Sequence, residues 1–247
     1  KMYNKLKKNG RVLKHPKYGY ELSDAMVVNI HVMLHKAMKT AVQEHLIPSN
    51  PTVKTVRPKI IKKDMKVLTN EQLDKFLKVI DTEDEWYDFF YTELTTGLRR
   101  GEICGLKWSD IDEDNNTLHV QRTIRYSGKE LVIGDTKTNQ GDRKIVLPAS
   151  VRDMLTERKK TSISEWIFPQ FLDPTKPINP ASAYYRLKKI LKEAELPDMR
   201  FHDLRHSCAS NMLSTGSTIK EIQVFLGHSN ISTTGNIYAH IDAEASK

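Results

Sequence analysis

The chain has 247 residues, 38% hydrophobic and 28% charged, which supplies one large or two small cores under a heavily charged surface. Lys and Arg number 39 against 31 Asp and Glu, a formal charge of +8 with a pI near 9.3; this favours a polyanionic partner, although charge alone does not select one. Two cysteines, Cys104 and Cys208, make no disulfide framework and read as buried thiols of a reducing cytoplasm, and no apolar run approaches the roughly 20 residues of a membrane span.

Residues 1 to about 22 are Lys-rich, with turns expected at Gly10, Pro16 and Gly19. Ser23 caps a predicted helix whose apolar stripe is Val27, Ile30, Leu34, Ala37 and Ala41, with His31, His35, Lys36 and Lys39 on its other face. Pro48 to Pro51 closes this unit, and Val53 to Lys66 reads as an extended basic linker carrying Lys54, Arg57, Lys59, Lys62 and Lys63. A second unit starts near Leu68. Thr69 and Gln72 make a capping box for one helix, and an aromatic-rich helix runs from Trp86 to Thr96 as core. Gly97 suits the turn after it and places Arg99 or Arg100 at the mouth of a cleft, with Glu102 on the same helix face as Arg99.

From Thr117 the apolar period changes to two. Leu118–Ile124, Glu130–Ile133 and Lys144–Leu147 read as three strands, with a loop from Thr136 to Asp142 that carries Lys137. An amphipathic helix over Ala149–Lys160 follows, then a buried Trp166–Pro169 segment. The next helix starts at Asn179–Pro180 and has a basic side of Arg186, Lys188, Lys189 and Lys192.

The stretch Arg200–His240 carries the chemistry. Phe201, Leu204, Cys208 and Met212 predict an amphipathic helix on which His202 and Arg205, and His206 beside them, face something polar. Thr218 and Glu221 form a capping box for a second helix, Gly227 ends it in the left-handed conformation, and His228 and Tyr238 follow. A guanidinium fork, imidazoles and a tyrosine suit a phosphodiester: arginine matches phosphate oxygens, imidazole moves a proton near neutrality, and tyrosine is a covalent nucleophile. Each member alone is weak, since a lone His-x-x-Arg or a C-terminal Tyr is usually structural. A metal site at His202 and His206 lacks a third ligand, and Arg205 would repel the cation.

The ordered set Thr96-Gly-Leu-Arg99, Thr136-Lys137-Thr138, His202-Asp-Leu-Arg205, Leu226-Gly-His228 and Tyr238 resembles the tyrosine recombinases, or phage-type integrases, and among them the integrases of conjugative transposons. The resemblance runs from about residue 20 to about residue 241. It selects Arg99 over Arg100 and raises Lys137 from a solvated loop lysine to a candidate. It implies a mainly α fold with a small three-stranded antiparallel sheet, arranged as a two-domain C-shaped clamp on DNA: a core-binding domain over 1–56, a basic linker over 57–66 and a catalytic domain over 67–247. The family usually has one more helix and often an arm-binding domain before this point, so the chain is read as lacking an upstream part.

The implied activity is site-specific cleavage and rejoining of duplex DNA through a 3′-phosphotyrosyl intermediate, for insertion and excision of a mobile element by transposition, without metal, ATP or cofactor. The implied catalytic set is Arg99, Lys137, His202, Arg205, His228 and Tyr238, supported by Glu102. Tyr238 is the nucleophile, Arg99 and Arg205 bind the non-bridging oxygens with His228 adding a hydrogen bond, His202 is the base and Lys137 the acid. Expected DNA contacts are Lys36, Lys39, Lys54, Arg57, Lys59, Lys62, Lys63, Tyr184, Arg186 and Lys189. Partners would be duplex recombination sites, further copies of the chain (a dimer per site, a tetramer at synapsis) and an accessory directionality factor, in the bacterial cytoplasm at the nucleoid and with no membrane. For the short tail Ile241–Lys247 the resemblance implies packing on a neighbouring protomer. A type IB topoisomerase and a non-enzymatic DNA-binding module are the rival readings.

Overall fold

The computed structural model describes residues 2–60, 66–81, 84–128, 130–135 and 141–227. It divides into two compact units, Lys1–Asp64 and Met65–Lys247, a division that falls inside the stretch read as the linker.

Among its described residues the first unit has two helices, α1 (Met2–Asn9) and α2 (Asp24–Gln43). Ser23 caps α2 by accepting from the Met26 N–H. The expected stripe contributes only Val27 to full burial; the other buried side chains among the described residues of this unit are Tyr3 and His31. This differs from the sequence reading twice. Residues 2–9 form a helix where the sequence pointed only to a Lys-rich stretch with turns from Gly10 onward, and His31 is buried instead of lying on the outer face. The two corrections have one cause: α1 lays Tyr3 on α2, where its hydroxyl and His31 Nδ1 share a 2.6 Å hydrogen bond. His35 stacks on His31 at 5.8 Å and bonds Thr52 Oγ1 at 2.8 Å.

The second unit runs α3 (Asn70–Asp81), α4 (Asp84–Thr96), α5 (Arg100–Cys104), a 3-10 turn at Trp108–Asp110, β1 (Ile111–Asp112), β2 (Thr117–Val120), β3 (Arg122–Ser127), β4 (Glu130–Asp135), β5 (Arg143–Val146), α6 (Ala149–Thr161), α7 (Pro180–Glu193), α8 (Phe201–Ser214) and α9 (Ile219–Leu226). It is mainly helical with small antiparallel sheets. The core is aromatic: Phe90 lies edge-on to Phe76, and Phe89 to Phe168 and Phe201, tying α3, α4 and α8 together. Capping follows the sequence at both ends of the unit. Thr69 and Gln72 exchange side-chain bonds at the start of α3, Thr218 and Glu221 do so at α9, and Gly227 closes α9 with φ 68° and ψ 48°.

The sheet differs from expectation in its division. The segment read as one strand over 118–124 breaks at Gln121. β2 pairs with β1 and β5 in a three-stranded antiparallel sheet, whereas β3 pairs with β4 in a separate hairpin. Gln121 donates to the Asp110 carboxylate across the break, and Arg122 pairs with the same carboxylate, so a side-chain network replaces the ladder there. Gly101 lets α5 lie directly on β3; a Cβ at that position would meet Thr123 Oγ1 at 2.4 Å and the Ile124 carbonyl at 2.7 Å.

Candidate active site

Gly97 follows α4 with φ +57°, the left-handed region that favours glycine. That turn delivers Arg99 as the residue before α5. Glu102, one turn along and 2% exposed, accepts from the Arg99 backbone N–H at 3.0 Å and from its guanidinium at 2.6 Å. The carboxylate of the short α5 therefore fixes both ends of Arg99. The Arg99 side chain stays 41% exposed.

Arg205 lies beneath it and differs from the sequence reading. It does not face outward with His202; it is wholly buried in α8. Its Nη1 donates to the Gly97 carbonyl at 2.7 Å and its Nη2 to the Leu226 carbonyl at 2.5 Å. Burial first, then the neighbouring Arg99 charge, push this guanidinium down to about 9, so it still carries its charge at neutral pH.

Arg143, the first residue of β5, is a third guanidinium that the sequence reading passed over. It donates to Glu102 Oε2 at 3.1 Å, to the Phe225 carbonyl at 2.9 Å and to the Gly141 carbonyl at 3.2 Å. A signal for it existed. In β5, Arg143 and Ile145 point inward while Lys144 and Val146 point outward, so the period-two pattern that buries Ile145 also buries Arg143.

Three successive carbonyls at the end of α9 are thus each held by a different arginine: Phe225 by Arg143, Leu226 by Arg205 and Gly227 by Arg99, the last at 2.9 Å. These acceptors have no partner within a helix and sit at its negative end, so three cations converge there with good reason. Burial works to raise the Glu102 carboxyl, but Arg143 and then Arg99 more than offset it and leave it below the usual carboxylate range. Glu93 of α4 is buried as well. Burial pushes its carboxyl well above that range, opposed by Arg205 and assisted by Glu102.

His202, in the first turn of α8, is exposed. Desolvation, then the charges of Arg205 and Arg99, lower its pKa, which favours the neutral imidazole. His206, grouped with it in the sequence reading, is instead buried at 6% exposure and meets it edge-on at 4.8 Å. Lys137, His228 and Tyr238 lie outside the described residues, as do Lys62 and Lys63.

Of the expected DNA contacts, Lys36, Lys39, Lys54, Arg57, Lys59 and Lys189 are exposed and Tyr184 is half-buried. Arg186 is a correction: it is 8% exposed and turns into the unit with Leu187 and Ile190, away from the exposed side of α7. Arg100, exposed beside Arg99, lies over the Tyr184 ring at 6.0 Å, and Lys188 approaches the same ring at 5.2 Å.

The second unit thus sets an exposed arginine and a histidine close to buried guanidiniums, and comparison with known proteins names its family. The phage integrase family model matches residues 66–245, and the chain belongs to that family. It is 28% identical over 233 residues to the ICEBs1 integrase of Bacillus subtilis, covering 89% of this chain and 62% of that protein. It is 30% identical over 218 residues to the putative prophage phiRv2 integrase of Mycobacterium tuberculosis, covering 83% and 55%. The chain therefore spans less than two thirds of these curated relatives. Among solved structures, the Tn1549 transposon integrase in complex with transposon right end DNA superposes with a TM-score of 0.78 at 28% identity, covering 91% of this chain and 78% of that one.

Proposed function

We propose that the chain is a site-specific DNA recombinase that inserts and excises a mobile element through a 3′-phosphotyrosyl intermediate. The observation that carries this reading is the exposed Arg99 guanidinium, fixed by Glu102 and standing with His202 above the buried charge of Arg205. The DNA held by the Tn1549 relative supports duplex DNA as partner. In the proposed step the Tyr238 oxygen attacks the scissile phosphorus. A P–O bond to tyrosine forms, the P–O5′ bond breaks, and the 5′ oxygen leaves as a hydroxyl.

His202 takes the phenolic proton, a role suited to an imidazole held neutral, because free tyrosine titrates near 10. Lys137 supplies the proton to the 5′ oxygen. Arg99 contacts the non-bridging oxygens directly, and His228 adds a donor there. Arg205, sealed below, contributes its field and holds the turn that presents Arg99. A preorganised donor of this kind is worth about 10²–10³ in rate. The bond to tyrosine retains the phosphodiester free energy, so a 5′ hydroxyl from another duplex reverses the step without nucleotide hydrolysis. Two duplexes exchanging all strands need four such sites, hence a dimer on each site and a tetramer at synapsis. The first unit serves as core-binding domain, with its exposed lysines against phosphates. The setting is the bacterial cytoplasm.

The test uses a pool of nicked duplexes of random sequence. Incubated with the chain and denatured, the pool should yield covalently attached DNA whose recovered sequences define a site. Tyr238→Phe should bind that site and trap nothing, and EDTA should leave trapping intact. A covalent band that persists in Tyr238→Phe rejects the nucleophile assignment.

A further inference from the structure

We infer that Arg143 is a positioning residue for strand cleavage: by pairing with Glu102 and holding the Phe225 carbonyl, it fixes the Arg99 guanidinium against the end of α9. The inference rests on the recombinase reading above. Arg143 is 9% exposed, so its guanidinium is turned away from any ligand on the surface. All three of its nitrogens are engaged, and their acceptors belong to three separate parts of the chain: α5, the end of α9 and the segment that leads into β5.

Glu102 is the link to Arg99. One carboxylate oxygen takes the Arg99 guanidinium, and the other takes the Arg99 backbone N–H together with Arg143. Removing Arg143 leaves that second oxygen without its cation. It also frees the Phe225 carbonyl, two residues before the carbonyl that Arg99 itself holds. Both ends of the Arg99 side chain then lose a fixed reference. Only a planar fork reaches both targets at once, which a lysine ammonium does not.

Single-turnover rates of covalent complex formation on the trapped site test this, alongside dissociation constants and thermal melting. Arg143→Met should bind DNA within about threefold of wild type and cleave about 10²-fold more slowly, the scale of an ångström-level misplacement. Arg143→Lys keeps charge and bulk, which secures a folded variant, and should fall between, about tenfold slow. In a Glu102→Gln background the Arg143 substitution should cost little more, because the two act through one carboxylate. A 5′-bridging phosphorothiolate substrate, whose leaving group needs no proton, should leave the deficit in place. Wild-type rates in folded Arg143→Lys overturn the inference, and so do losses that multiply with those of Glu102→Gln. Recovery on the phosphorothiolate also overturns it, by assigning Arg143 to proton delivery. If the wild type traps no DNA at all, the recombinase reading falls and this inference falls with it.

Discussion

Arg205 and Gly97 are joined by a 2.7 Å hydrogen bond from a buried guanidinium to a main-chain carbonyl, so the arginine of one motif holds the turn that presents the arginine of another. The two motifs lie over a hundred residues apart in sequence and function as one object.

The turn is the first place to test this. A Cβ at Gly97 would meet Leu226 Cδ2 at 2.7 Å and Cys208 Sγ at 3.1 Å, with φ already at +57°. Gly97→Ala should lower stability by about 1–2 kcal/mol from the left-handed backbone alone, and by more from the displaced Leu226. Urea denaturation measures the loss, and an unchanged midpoint would contradict the packing described.

Glu102 stands between two guanidiniums at 2% exposure. Glu102→Ala leaves buried positive charge uncompensated and should cost about 3–5 kcal/mol. The urea midpoint checks it; a loss below 1 kcal/mol, on the order of an exposed ion pair, would show that water already screens the cluster.

His206 should make the fold sensitive to acid. Its pKa is pushed down to about 4, by burial first and the neighbouring His202 second. The unfolded chain therefore takes up this proton first, near the ordinary value of 6.5, and the folded chain only near 4. Stability is whole above about 6.5 and declines as pH falls through that window. His206→Phe should flatten the decline without abolishing it, since His202 is shifted in the same direction. Denaturation midpoints at several pH values between 4 and 7 decide it.

Both thiols should be silent in the native protein. Burial, then the nearby Glu93 carboxyl, push Cys208 up to about 12 and Cys104 higher still. A thiol reagent near neutral pH should count two groups in denaturant and close to none without it.

The proposed acid can be tested although Lys137 lies outside the described residues. Lys137→Ala should be slow on ordinary DNA and recover on a 5′-bridging phosphorothiolate, because sulfur leaves without a proton. Failure to recover would remove the assignment.

Much of this was legible in the sequence, and the limits have physical causes. Caps are local: Ser23, Thr218 with Glu221, and Gly227 act within a turn of where they stand, so their residue types sufficed. Gly97 announced its turn in the same way. What escaped depends on partners far away in the chain. His31 became a core residue only because Tyr3 lies on it, and α1 carries little apolar signal of its own. Arg205 is buried because remote carbonyls accept from it, and no spacing rule shows a carbonyl; Arg143 shares the inward period of Ile145, but its partners Glu102 and Phe225 are just as remote. The strand break at Gln121 follows from Asp110, a residue outside the strand pattern altogether.

The convergence of three arginines on the carbonyls of α9 also bears on how such a site can vary over time. Main-chain oxygens are the same whatever residue carries them, so the clamp constrains the path of the backbone at Phe225, Leu226 and Gly227 while asking nothing chemical of the first two side chains. The outer surface of this helix is thereby free to diversify toward different neighbours while the geometry beneath it stays put.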